Sequence, residues 1–191
     1  YIDHISTSSS VLLTIVNDIL DLATVDAGIM ELNYSDMDID DLLDDVAMQI
    51  ADRLHENAVM LEIVAPKGMG TIVADQQRLK QILIKLITNA ANFSPEGSTI
   101  TLSSWRNGND FFFSVADKGP GIAQDMLETV FDRFSSGKGG KRSGAGLGLS
   151  IVESFVNLHK GDVKIDSRPG EGTTVTCRIP SAISFRSVAA E

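Results

Sequence analysis

Apolar residues recur at helical spacing in "VLLTIVNDILDLATVDAGIMEL". Leu12, Ile15, Ile19 and Leu22 mark one stripe, Val11, Val16 and Leu20 widen it, and Gly28 offers a stop. Such a stripe needs a cover. With Ser, Thr and Asp just ahead of it, the pattern predicts one helix of a bundle or coiled coil, completed by residues outside the sequence or by a second chain; packing on its own domain is the alternative. Next, "IMELNYSDMDI" alternates as a strand does, and Asp38 to Asn57 read as an acidic amphipathic helix ahead of a short strand, "VMLEIVA". Beyond the turn residues Pro66, Gly68 and Gly70 and a short "TIVA", a helix from Asp75 to about Asn92 buries Leu79, Ile82, Leu83, Leu86 and Ile87.

Two strands, "STITLSSWR" and "DFFFSVADKG", flank an "NGN" hairpin turn. A glycine-rich stretch then leads into a helix ending near His159, and "DVKIDSR" and "TTVTCRIP" form a second hairpin around "PGEG". Helices and hairpins in this order predict an α/β (α+β) two-layer sandwich. Its mixed, mainly antiparallel sheet would be covered on one face by helices and preceded by the long N-terminal helix. The expected divisions are 1–27 for that helix, 28–181 for the sandwich and 182–191 for a tail of little pattern.

At 191 residues and 43% hydrophobic, the chain can bury one core of ordinary size. The net charge of −10 is uneven, since Tyr1 to Met60 hold 13 acids against the single base Arg53. An acidic front half argues against nucleic acid, whose phosphates require a basic footprint. One cysteine, Cys177, excludes an internal disulfide and reads as a buried thiol in a reducing compartment. No run reaches the length of a membrane span, so direct membrane contact is not expected.

The stretch "SSGKGGKRSGAGLGLSIV" carries the first candidate chemistry. Glycines let backbone N–H groups approach an anion, and a helix starting straight after them adds partial positive charge at its N-terminus. Gly144, Gly146 and Gly148 sit at that junction, behind Lys138, Lys141 and Arg142. A plain linker would share that composition. Walker, Rossmann and protein-kinase glycine patterns fail here on context or companions. In "VADKGPGIA" a strand ends on Asp117, followed by Gly119 and Gly121: a carboxylate able to accept from an exocyclic amine such as adenine's, or an ordinary turn. In "LIKLITNAANFSPEG", Asn89 interrupts an apolar helix near its end, where its amide oxygen suits Mg²⁺, although a core or capping hydrogen bond would also account for it. Together the three stretches compose an ATP–Mg²⁺ site.

In order and spacing, "KLITNAANFSPEG", "DKGPG", "VFDRF" and "GAGLGLSIV" resemble the N, G1, F and G2 boxes of sensor histidine kinases of two-component signalling. Those kinases share an ATP-binding (Bergerat-type) fold with Hsp90, gyrase and MutL. The resemblance implies Asn89 on Mg²⁺ and Asp117 on the adenine amine, with Gly119, Gly121 and Ile122 beside the base and Gly144, Gly146, Leu147 and Gly148 at the phosphates. It also implies a lid from about Ser135 to Ala145 anchored by Phe131 and Phe134, with Arg133, Lys138, Lys141 and Arg142 as phosphate contacts. Lys85 and Asn92 stand where the family often has an asparagine and a basic or aromatic residue, a departure that bears on turnover more than on binding. The family's phosphoacceptor box is absent: His4 is followed by "ISTSS", and His55 and His159 read as solvated surface residues. Residues 1–27 therefore resemble the second helix of a dimeric hairpin whose first helix would carry the substrate histidine. The resemblance implies a cytoplasmic histidine kinase portion, with membrane tethering by upstream segments left open, that forms homodimers and hands phosphate to a response-regulator receiver domain. The alternative is a degenerate regulator of the DivL type.

Overall fold

A computed structural model describes residues 2–135 and 145–182, with side chains from residue 12 onward. Helix α1 (Ile2–Asp26) leads into strand β1 (Tyr34–Asp38), helix α2 (Ile39–Glu56), strands β2 (Met60–Val64) and β3 (Thr71–Asp75), and helix α3 (Gln76–Phe93). The hairpin β4 (Thr99–Asn107) and β5 (Asp110–Asp117) comes next, then a single turn α4 (Gln124–Leu127), helix α5 (Gly148–Leu158) and the hairpin β6 (Asp162–Arg168) and β7 (Gly172–Pro180). The main sheet runs β2-β4-β5-β7-β6, and only β2 and β4 are parallel. The mixed, mainly antiparallel sandwich expected from the pattern is thus present. The strands β1 and β3 do not join that sheet; they pair antiparallel with each other as a separate ribbon.

Alternation explains the layering. Along β4 and β5, Ile100, Leu102, Phe111, Phe113 and Val115 face the helices and are fully or nearly fully buried, as are Val175, Cys177 and Ile179 of β7. They meet Leu79, Ile82, Leu83, Leu86 and Ile87 of α3 and Ile151, Val152 and Phe155 of α5 in one continuous core. The helices start where side chains can satisfy their free N–H groups. Asp38 accepts from Asp40 and Asp41 at the head of α2, and Asp75 from Arg78 at the head of α3. Burial pushes the Cys177 thiol up to about 12, so it is an inert core residue.

Helix α1 has two faces. Leu22 is buried and Val25 packs on the domain core, whereas Leu12, Leu13, Val16, Ile19 and Leu20 are exposed. One edge of the stripe therefore covers its own domain, and the broad apolar face has no cover within the described residues.

His159 corrects the sequence expectation of a solvated surface histidine. It is 1% exposed, its Nε2 accepts from the Asp75 backbone N–H at 3.2 Å, and its Nδ1 therefore donates to the Phe155 carbonyl at 2.7 Å. The ring ties the end of α5 to β3, with Tyr34 packed edge-on. Burial holds its pKa below the ordinary 6.5, so the folded chain refuses a proton that the unfolded chain accepts. Its contribution is complete above pH 6.5 and is lost as pH falls below it. The melting temperature should fall on acidification from about pH 7.5 to 5.5, and His159→Gln should flatten that slope.

Candidate nucleotide site

The C-terminal end of α3 and the loop after β5 meet at one place. Gly119 lies so close to α3 that a Cβ there would stand 3.1 Å from the Phe93 carbonyl oxygen and 2.8 Å from Asp117 Oδ1. The segment carrying Asn89 and Asn92 and the segment carrying Asp117 thus line one region, although 28 residues separate Asn89 from Asp117 in sequence.

Asp117 ends β5 and lies opposite Thr173 of β7. Its Oδ1 accepts from the Gly119 backbone N–H at 2.7 Å, and the Thr173 backbone donates to it as well. Burial nevertheless outweighs these bonds and raises its pKa above the ordinary carboxylate value. No cation pairs with it among the described residues. A desolvated carboxylate with acceptor capacity to spare fits an amine-bearing ligand that brings its own N–H donors.

The elements that hold this carboxylate in place have no distinct mark in the sequence. Gly172, at the start of β7, has φ +91°, and a Cβ there would lie 2.1 Å from the Asp117 carbonyl oxygen. Gly121, at φ +70°, presses on the β6–β7 turn, where a Cβ would lie 1.9 Å from the Arg168 carbonyl oxygen. Ser167 joins the same cluster: its Oγ accepts from the Ile122 backbone N–H at 2.9 Å and donates to the Gly172 carbonyl at 2.9 Å, with Thr173 Oγ1 2.8 Å away. Gly121 is therefore held against the β6–β7 hairpin by close backbone packing, and Ile122 by a hydrogen bond to the Ser167 hydroxyl. The one signal in the chain is the glycine spacing of "PGEGTT", which reads equally as a turn.

At the other end of the region, α5 starts at Gly148 behind Leu147, and no side chain among the described residues caps it. Among the described residues its first N–H groups are thus left to an anion. Leu147 itself points into the core at 2% exposure, so only its backbone can face a ligand. Gly146 has φ +67°, the left-handed bend that turns the chain into the helix. Lys138, Lys141, Arg142 and Gly144 lie outside the described residues.

Asn89 is half-buried on α3, and its side-chain amide makes no hydrogen bond among the described residues. Asn92 Oδ1 is buried without a partner among the described residues, as is Ser94 Oγ two residues on. Buried polar atoms are almost always paired, so an orphaned amide oxygen at this end of α3 suits a site that receives a ligand. No cluster of three His, Cys, Asp or Glu side chains exists among the described residues to hold a metal unaided. A Mg²⁺ held by the Asn89 oxygen would complete its shell with ligand phosphates and water, the habit of that ion.

Three expected contacts take other positions. Lys85, a residue that could meet phosphate or simply face solvent, gives its ammonium to both carboxylate oxygens of Asp18 on α1, each at 2.6 Å. Arg133 pairs with Asp26 at the end of α1 at 2.6 Å. Phe134, expected as a lid anchor, is 66% exposed with φ +63°, while Phe131 is half-buried. A tight turn separates the two rings, which periodicity alone does not resolve.

Residues 74–183 match the family model described as histidine kinase-, DNA gyrase B-, and HSP90-like ATPase. The chain belongs to that family. It is 36% identical to the sensor protein DivL of Caulobacter vibrioides over 86% of this chain and 21% of DivL. An uncharacterized sensor-like histidine kinase of Rhizobium meliloti is 35% identical over 96% of this chain and 36% of that protein. This chain therefore spans about a third or less of the length of these relatives. Among solved structures, full-length ShkA in complex with AMPPNP superposes with a TM-score of 0.83 at 34% identity, covering 95% of this chain and 38% of that one. Histidine kinase ThkA in complex with the response regulator TrrA gives 0.74 at 25% identity, covering 95% and 50%. The described fold is that of a sensor histidine kinase ATP-binding catalytic domain. No helix among its described residues is long and apolar enough to cross a membrane.

Proposed function

We propose that this chain binds Mg²⁺-ATP as the catalytic portion of a cytoplasmic sensor histidine kinase, supplying the γ-phosphoryl group for a histidine on a helix upstream of α1. The observation that carries the reading is Asp117: a carboxylate at a strand tip, desolvated yet without a cation among the described residues, leaves an acceptor that adenine's amine satisfies. In this reading Gly119 and Gly121 set the loop beside the base, the open N-terminus of α5 receives phosphate oxygens, and the Asn89 and Asn92 amides serve the metal and phosphate end. Bound Mg²⁺ would offset charge on the β- and γ-phosphates. The remaining contribution of the chain is alignment of the γ-phosphorus with an imidazole nitrogen. Its partners are a second copy, met through the exposed apolar face of α1, and a response-regulator receiver domain, as the ThkA–TrrA complex supports.

Isothermal titration with ATP, with and without Mg²⁺, tests the binding step: micromolar to millimolar affinity strengthened by Mg²⁺ is expected, and no binding refutes the reading. Asn89→Ala should abolish most of the Mg²⁺-dependent gain while leaving metal-free binding nearly intact. An unchanged Mg²⁺ dependence removes Asn89 from the metal.

A second reading, a regulator that engages partners without phosphorylating, draws on Lys85. Its ammonium is committed to Asp18, and the likeness to DivL covers most of this chain. Incubation of the chain joined to its upstream helix with γ-³²P-ATP separates the two: label on histidine supports the kinase, and binding without label supports the regulator.

A further inference from the structure

The helix-facing side of the main sheet is apolar until its last row. Phe113, Cys177 and Val163 stand side by side across β5, β7 and β6, and Val115, Val175 and Ile165 form the next row on that face. The final row is Asp117, Thr173 and Ser167, three polar side chains in register at the strand ends. Ser167 is 7% exposed, and its hydroxyl meets three partners: the Ile122 N–H at 2.9 Å, the Gly172 carbonyl at 2.9 Å and Thr173 Oγ1 at 2.8 Å. A hydroxyl has one proton and two lone pairs. The carbonyl only accepts and the N–H only donates, so the Ser167 proton goes to Gly172 and one lone pair to Ile122. The third contact closes only if Thr173 donates its own proton to the second lone pair.

We propose that Ser167 is a positioning residue that sets the base preference of the site: by taking the Thr173 proton it leaves the side chains of this row with acceptors to offer and no donor. The Gly119 N–H and the Thr173 N–H are spent on the Asp117 carboxylate, the Ile122 N–H and the Thr173 O–H on Ser167, and the Ser167 O–H on Gly172. Lone pairs remain on Asp117 and on Thr173 Oγ1, which are neighbours across β5 and β7. Such a row matches a base that carries an amine and opposes one with a keto oxygen at the same place, where acceptor would face acceptor. Asp117 by itself does not fix this polarity. A Thr173 hydroxyl free to rotate would donate to a keto oxygen as readily as it accepts from an amine, and Ser167 prevents that rotation. This role of Ser167 rests on the ATP-binding reading.

Titration calorimetry of the whole chain with Mg²⁺-ATP and with Mg²⁺-ITP, whose base has a keto oxygen where adenine has its amine, tests this. The parent should favour ATP by roughly a hundredfold or more. In Ser167→Ala the Thr173 hydroxyl is free to turn its proton toward the keto oxygen, and the preference should fall by about tenfold. Ser167→Thr keeps the hydroxyl and should keep the parental preference. A merely structural role would weaken both nucleotides alike, so an unchanged preference in a folded Ser167→Ala overturns the inference. Amide exchange without nucleotide reports that folding: β4 and β5 should keep parental rates while the Ile122 N–H exchanges about tenfold faster, and a parental Ile122 rate likewise overturns the inference. Thr173→Val carries the test if Ser167→Ala loses its fold. It should weaken ATP severalfold and leave ITP unchanged, and equal loss of both overturns the inference. A parent that binds neither nucleotide refutes the ATP-binding reading itself, whereas a parent that prefers ATP and passes that preference to Ser167→Ala leaves the reading standing and removes Ser167 from it.

Discussion

Asp117→Asn should abolish nucleotide binding while leaving the domain folded and at least as stable as the parent. The two changes run in opposite directions because one carboxylate serves the site at the expense of the fold. Burial raises the Asp117 pKa, so the folded chain holds this proton more tightly than the unfolded chain does. The stability this provides is complete below the unfolded value of 3.8 and is lost as pH rises through the folded one. At neutral pH the parent therefore carries an ionised group in a site that disfavours ionisation. Asparagine removes that charge and keeps an oxygen for the Gly119 N–H. Its amide, however, can turn an N–H group toward adenine's amine, a donor facing a donor. Loss of a buried polar match is worth on the order of a hundredfold or more in affinity. Calorimetry with Mg²⁺-ATP and thermal unfolding at pH 7 check the two halves together. Near-normal affinity removes Asp117 from the base site, and a large drop in melting temperature makes it a structural residue.

The second large effect falls outside the motif boxes. Gly172→Ala should destabilise the domain by about 3 to 5 kcal/mol, the combined scale of a left-handed backbone imposed on alanine and a steric overlap that must be relieved. The overlap is with backbone: the new Cβ would stand 2.1 Å from the Asp117 carbonyl oxygen, which cannot move without displacing the end of β5. Binding should suffer even where the variant remains folded, because relief of the clash shifts the strand tip that carries the carboxylate. Denaturant unfolding measures the first effect, and nucleotide titration well below the melting temperature measures the second. A variant with parental stability would show that the β6–β7 turn yields easily and does not position the site.

Most of the fold was legible because its signals are local. The period-3.6 stripes of α2 and α3 and the "NGN" turn between β4 and β5 predicted those elements to within a residue or two. Pairing was less accessible. The stretch holding β1 reads as a strand from its alternation and β3 shows only as a short "TIVA", but nothing local reveals that they pair with each other and leave the main sheet to five others. His159 is misread for the same reason. A histidine at a helix end looks solvated until β3 supplies the N–H that its ring accepts.

The site divides along the same line. Asn89, Asp117 and the glycines before α5 could be named because each chemistry needs its residue type at a recognisable place: an amide in an apolar helix, a carboxylate at a strand tip, small residues at a helix start. Lys85 and Arg133 could not be assigned that way. A cation states only that it will find an anion, and the nearest anions in space, Asp18 and Asp26, are 67 and 107 residues away along the chain. The sequence by itself determined the order of elements, the buried faces and the residue types available for binding, since propensity, periodicity and turn chemistry act over a few residues. Only the tertiary structure decided which carboxylate each cation takes, that Gly172 supports Asp117, and that α1 shares its domain's core, because those depend on distances between segments remote in sequence.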